Sequence, residues 1–96
     1  MPEAVSRKPV RVGPVLIPGV CADAVLAAIR AENSAVEASD SGGYVRVSVA
    51  DRCRVTRAAI ERELGRSFEL PRDLEAIMPA FKGQLRLDAE AASWEG

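Results

Sequence analysis

The chain has 96 residues, enough for one domain with one modest core. Apolar residues make up 48% and charged residues 28%, and the net charge is −1. That balance excludes a disordered chain and leaves no electrostatic footprint for a nucleic acid.

Residues 1–9, Met1-Pro2-Glu3-Ala4-Val5-Ser6-Arg7-Lys8-Pro9, hold basic side chains with no apolar run behind them. They do not read as a secretory signal. They read as a flexible tail ahead of a single domain over residues 10–96. No apolar run approaches the ~18–20 residues needed to span a bilayer, so the reading is a cytoplasmic chain without membrane contact. Cys21 and Cys53 stand far apart; two cysteines allow a single disulfide, but nothing else in the sequence suggests secretion.

Val10, Val12, Val15 and Ile17 predict a first strand, interrupted by Gly13-Pro14. Proline lacks an amide donor, so this strand is expected at a sheet edge or with a bulge. Pro18-Gly19 turns the chain. Cys21, Ala24, Val25, Ala28 and Ile29 then recur at i, i+3, i+4, i+7 and i+8, the stripe of an amphipathic helix. Asp23 and Arg30 suit its dipole, and Asn33 can end it in the left-handed conformation. Val36 to Ser39 reads as a short strand, and Asp40-Ser41-Gly42-Gly43 as a hairpin loop. Val45, Val47 and Val49 alternate with polar residues, as in a half-buried strand. Ala50-Asp51-Arg52 is a turn and Cys53 to Val55 a brief strand.

Thr56 is a good N-cap for a helix over Arg57 to Leu64, stopped by Gly65, with Ile60, Leu64 and Ala59 inward. Phe68 and Leu70 return to the core. Leu74 to Met78, bracketed by Pro71 and Pro79, fits either one helical turn or a strand. Phe81-Lys82-Gly83 reads as a turn, Gln84 to Leu87 as an alternating strand, Asp88 to Glu90 as a turn, and Ala91 to Trp94 as a last strand. The class is α+β: two main helices packed on about five to seven short, mostly antiparallel, hairpin-linked strands.

Chemistry is sparse. There is no histidine, which removes the commonest general base and metal ligand. Two isolated cysteines cannot build an ordinary zinc site. No phosphate-binding glycine loop is present. Glu61, Glu63 and Glu69 read as a solvated face, with Arg57–Glu61 as an i,i+4 pair. No catalytic, metal or cofactor residues are assigned. Recognition is left to the helix end at Arg30–Ser34, the loop Met78–Gly83 and Trp94. Phe81 is either a core plug or an exposed anchor, and Trp94 either caps the core or meets a partner.

Five pieces occur in order: Val12-Gly13-Pro14-Val15; Ala27-Ala28-Ile29-Arg30-Ala31-Glu32-Asn33; Tyr44-Val45-Arg46-Val47; Glu63-Leu64-Gly65-Arg66-Ser67-Phe68; and Phe81-Lys82-Gly83-Gln84-Leu85. This series resembles the effector, or coupling, proteins of soluble diiron monooxygenases. That family includes the methane monooxygenase regulatory protein and the phenol hydroxylase and toluene monooxygenase effectors. The resemblance implies a cofactor-free regulatory subunit with no activity of its own. It implies docking on a hydroxylase that holds a diiron centre. Docking would tune that centre and substrate access, and couple NADH use to oxygenation. It implies competition or alternation with a ferredoxin or reductase component. It also places Asn33, the loop Met78-Pro79-Ala80-Phe81 and Gly83 at the partner face, and favours a strand for Leu74 to Met78. The short tail is closer to the aromatic and alkene types. The alternative is a free-standing small-molecule sensor, with a pocket lined by Ile17, Val25, Ile29, Tyr44 and Phe68.

Overall fold

Valine alternation and turn chemistry carry most of the architecture in the computed structural model, which describes residues 9–96. All of the expected tail except Pro9 lies outside the described residues. The elements run β1 (Arg11–Leu16), α1 (Val20–Glu32), β2 (Glu37–Ser41), β3 (Tyr44–Ala50), β4 (Arg52–Thr56), α2 (Arg57–Leu64), α3 (Arg72–Ile77), β5 (Ala80–Lys82), β6 (Gln84–Leu87) and β7 (Ala91–Glu95). The strands form two antiparallel sheets, ordered β2-β3-β1-β5 and β4-β7-β6. The fold is α+β.

Strand β1 is not at an edge. It lies between β3 and β5, which corrects the placement expected from Pro14. The β1–β3 ladder pairs Val12 with Val49, skips Gly13 and Pro14, and resumes at Val15 with Arg46. The register is the same on both sides, so no residue is inserted and there is no bulge. The missing proline donor is accommodated by leaving a gap in the ladder. Gly13 sits at φ 146°, and a side chain there would run into the carbonyl of Val47.

The two sheets are joined at two corners. One is Asp51, at φ 63°, between β3 and β4; the other is Gly83, at φ 102°, between β5 and β6. Asp51 is tied on both sides: its N–H donates to the Val10 carbonyl at 2.6 Å, and its carbonyl accepts from the Gly96 N–H at 3.0 Å. The core fills the space between the sheets and the helices. Its largest fully buried side chains include Trp94, Phe68, Leu16, Ile29, Ile60 and Leu74. Trp94 therefore belongs to the core rather than to an exposed recognition surface.

Helix α1 buries Ala24, Val25, Ala28 and Ile29, as its stripe predicts, together with Ala22. Cys21 is only half-buried. Asn33 ends the helix in an extended conformation, φ −135°, and the positive φ falls at Ala35 instead. Helix α2 has the predicted bounds: Thr56 Oγ1 accepts from the Ala59 N–H, and Gly65 closes it at φ 80°. Arg57 and Glu61 pair at 3.6 Å.

The strand implied for Leu74 to Met78 does not form; those residues mostly belong to helix α3. The Asp73 carboxylate accepts from the Glu69 N–H at 2.7 Å, and the Glu75 N–H donates to the Pro71 carbonyl at 3.0 Å. These bonds close the turn locally, and Leu74 points into the core. The chain extends only after Pro79. Phe81 and Lys82 then lie in β5, so the predicted turn there shrinks to Gly83.

A Cβ on Gly83 would sit 2.8 Å from Val12 Cγ1 and 2.9 Å from the Glu95 carbonyl oxygen. At Gly65 an added Cβ meets nothing within 4 Å. Both substitutions incur the positive-φ strain, but only Gly83→Ala adds a clash. Gly83→Ala should lower stability by ~2–4 kcal/mol and Gly65→Ala by ~1 kcal/mol. Urea unfolding of the two variants measures the difference; equal losses would show that the corner is not crowded.

Candidate functional site

The ionisable groups with displaced pKa values serve the fold. Asp88 accepts from the Glu90 and Ala91 N–H groups, which hold its carboxyl below the usual range. Asp73 is held low mainly by the Glu69 N–H. Burial pushes the Cys53 thiol up to about 12. Among the described residues, no group of His, Cys, Asp and Glu side chains could hold a metal ion.

The predicted partner-facing residues separate into different roles. Asn33 is half-buried and its side-chain amide is fully engaged. Nδ2 donates to the Ile29 carbonyl at 2.9 Å and to the Arg54 carbonyl at 2.7 Å, while Oδ1 accepts from the Arg54 N–H at 3.0 Å. The side chain thus pairs with β4 as a neighbouring strand would. Next to it, Glu32 accepts from the Thr56 N–H at 2.7 Å and from its hydroxyl at 2.8 Å. Together these residues clasp the end of α1 to β4 and to the start of α2.

Met78 is buried, and Pro79, Ala80 and Phe81 are exposed. Phe81 keeps 43% of its surface accessible, which fits an anchor better than a plug. The Ile17 N–H donates to the Ile77 carbonyl at 2.8 Å, so this loop starts beside the entry to α1. Asn33 closes the other end. Thirteen residues of helix put about 20 Å between the two ends. The structure therefore does not gather Asn33 and the Pro79–Phe81 strip into one cluster. Gly83 serves the corner.

The pocket of the sensor alternative is not assembled. Val25, Ile29 and Phe68 are core residues with 0–1% exposure, whereas Ile17 and Tyr44 are exposed on the surface.

Sequence reasoning missed a groove of about 590 Å³ on the outer face of the first sheet. Val12, Leu16, Val47 and Val49 face the core, so the intervening residues face out. Arg11, Gly13, Val15, Glu37, Arg46 and Lys82 line the groove. Arg11 is committed: it pairs with Glu37 at 3.2 Å and donates to Ser48 Oγ at 2.8 Å. The signal available in the sequence was the polar half of the Tyr44–Ala50 alternation. It could not show that Lys82 would lie across β1 from Arg46.

The family model for the MmoB/DmpM family matches residues 10–95. The chain belongs to the MmoB/DmpM family. The match takes in every strand and helix described above. Within the family, the chain is 44% identical over 85 residues to the effector subunit of the alkene monooxygenase system of Xanthobacter autotrophicus (strain ATCC BAA-1158 / Py2). That alignment covers 86% of this chain and 83% of the relative. The fold also matches a chain in the structure of a phenol hydroxylase–regulatory protein complex. The TM-score is 0.81 at 17% identity, covering 91% of this chain and 99% of that one.

Replacing Asn33 by Ala strands the Arg54 N–H and carbonyl. The expected cost is ~1.5–3 kcal/mol, with faster amide exchange at Arg54. Unchanged exchange there would exclude the clasp. For Cys53 the sign runs toward alkaline loss. The folded state keeps its proton longer than the unfolded chain, so this contribution is complete below about pH 9 and is lost toward pH 12. At about pH 8 a thiol reagent should therefore modify Cys21 alone until the protein is unfolded.

Proposed function

We propose that this chain is the effector subunit of a multicomponent diiron monooxygenase of the alkene or aromatic type. It has no catalytic activity of its own and acts by binding the hydroxylase. The observation that carries this reading is the 44% identity, over nearly the whole domain, to an alkene monooxygenase effector subunit. The chain's own chemistry agrees. Its displaced carboxylates cap turns, its buried thiol is protonated, and its exposed anchors are apolar.

The diiron centre belongs to the hydroxylase and supplies the oxidation chemistry. What this chain supplies is binding energy. An effector shifts the hydroxylase between states only by as much as it prefers one of them. A bias of ~1–3 kcal/mol is enough to change active-state populations about 5- to 150-fold. The exposed strip Pro79-Ala80-Phe81 is the part of the expected site best placed for direct contact. Asn33 contributes by fixing the end of α1 rather than by offering a free amide. A ferredoxin or reductase component would compete or alternate with this chain at the hydroxylase. The same reading places the chain in the cytoplasm, where NADH and reduced ferredoxin are available.

Steady-state turnover and product per NADH of the cognate hydroxylase system, with and without this chain, test the reading. Coupled product should rise and saturate near one effector per active site. No change in rate or coupling, with no detectable complex, would sink it. Phe81→Ala should weaken hydroxylase binding by ~1–3 kcal/mol. A loss of folding stability with unchanged affinity would assign Phe81 to the core instead.

A further inference from the structure

The outer face of the first sheet is covered by no other element among the described residues, and its relief and charge are uneven. Gly13 lines the groove from β1 and carries no side chain. Val15 forms an apolar floor at 8% exposure. Arg46 pairs with Val15 from one side, and Lys82 pairs with Gly13 from the other. Neither cation has an ion-pair partner among the described residues. The groove holds three cations to one carboxylate, on a chain whose net charge is −1. At one end it opens onto Ile17 and Tyr44, which keep 44% and 39% of their surface exposed. By the register of β1 and β3 these two residues lie opposite each other, one position beyond the last pair.

A surface of this kind matches a partner that carries negative charge and apolar side chains on one face. The spacing narrows the choice. Arg46 and Lys82 are separated by two strand spacings across the sheet and two residues along it, about 12 Å between Cα positions. On an α-helix, carboxylates seven residues apart lie on one face about 10.5 Å apart. We propose that this groove docks an acidic amphipathic helix of the hydroxylase. Two of its carboxylates, two turns apart, reach Arg46 and Lys82. An apolar residue between them rests on Val15. The groove adjoins the exposed strip, because Ala80 and Lys82 lie on its side of β5 while Phe81 lies on the other. The proposal rests on the effector reading above and assigns that reading its surface.

The test is the affinity of the effector for the cognate hydroxylase, by calorimetry at several salt concentrations, beside the turnover assay. Arg46→Glu combined with Lys82→Glu should raise Kd about tenfold or more. The salt dependence of binding should flatten in that variant. Both side chains are exposed, so the urea midpoint should not move, and this is checked on the same samples. Arg86→Ala, on the outer face of the second sheet, should bind like the parent protein. A double variant with parental Kd and salt dependence, while the parent still stimulates turnover, would overturn the groove and leave the effector role standing. Equal weakening by Arg86→Ala would also overturn it, because net charge rather than the groove would then govern binding. A parent protein that neither binds nor stimulates would remove the effector role and the groove together.

Discussion

At Gly83 the backbone passes so close to Val12 and to the Glu95 carbonyl that no side chain fits. This corner lets the chain leave one sheet at Lys82 and enter the other at Gln84. A second corner, Asp51, does the same between β3 and β4, and hydrogen bonds tie it to both ends of the described chain. The two corners hold the sheets at the separation that Trp94, Phe68 and Leu16 fill. An L-residue at Gly83 would push β1 away from β7 and loosen the packing on both sides. The non-glycine residue at Asp51 tolerates its positive φ because its N–H, carbonyl and carboxylate are all bonded. The strain is local, and its compensation is local too.

This arrangement decides what the domain can offer a partner. The inner faces of both sheets are spent on the core, and the polar groups at the helix ends are spent on clasps. The outer faces of the two sheets and the strip on β5 are left for a partner to reach, and the groove lies on the face of the first sheet. Gly13 and Pro14 open the β1–β3 ladder, and Gly13 lines the groove without a side chain. A sequence feature that looks like damage to a strand thereby becomes part of a recess in a surface.

Local order was legible where one physical signal acted alone. Helix α2 has a threonine hydroxyl at its start and a glycine at its end, and both behave as capping chemistry requires. The valines of β3 face inward because a strand alternates. Misreadings arose where a residue's partners were distant in sequence. Pro14 looked like an edge residue, yet β5 arrives 67 positions later to pair with it. Asn33 looked like a free recognition group, yet the backbone of Arg54 consumes its amide. Leu74 to Met78 had helical propensity that the family resemblance outvoted, and the propensity was right because Asp73 closes the turn.

The amino-acid sequence by itself determined the α+β class, the two main helices, most of the strands and the absence of histidine chemistry. It also pointed to the family, through a series of short pieces spread over the whole domain. These are properties of near neighbours along the chain: periodicity, capping and turn preference. Only the tertiary structure decided which faces are free. Whether Trp94 is core or contact, whether Asn33 is clasp or probe, and whether Arg46 and Lys82 share a groove depend on strand order. Strand order is set by burial summed over both sheets, and no short segment carries that sum.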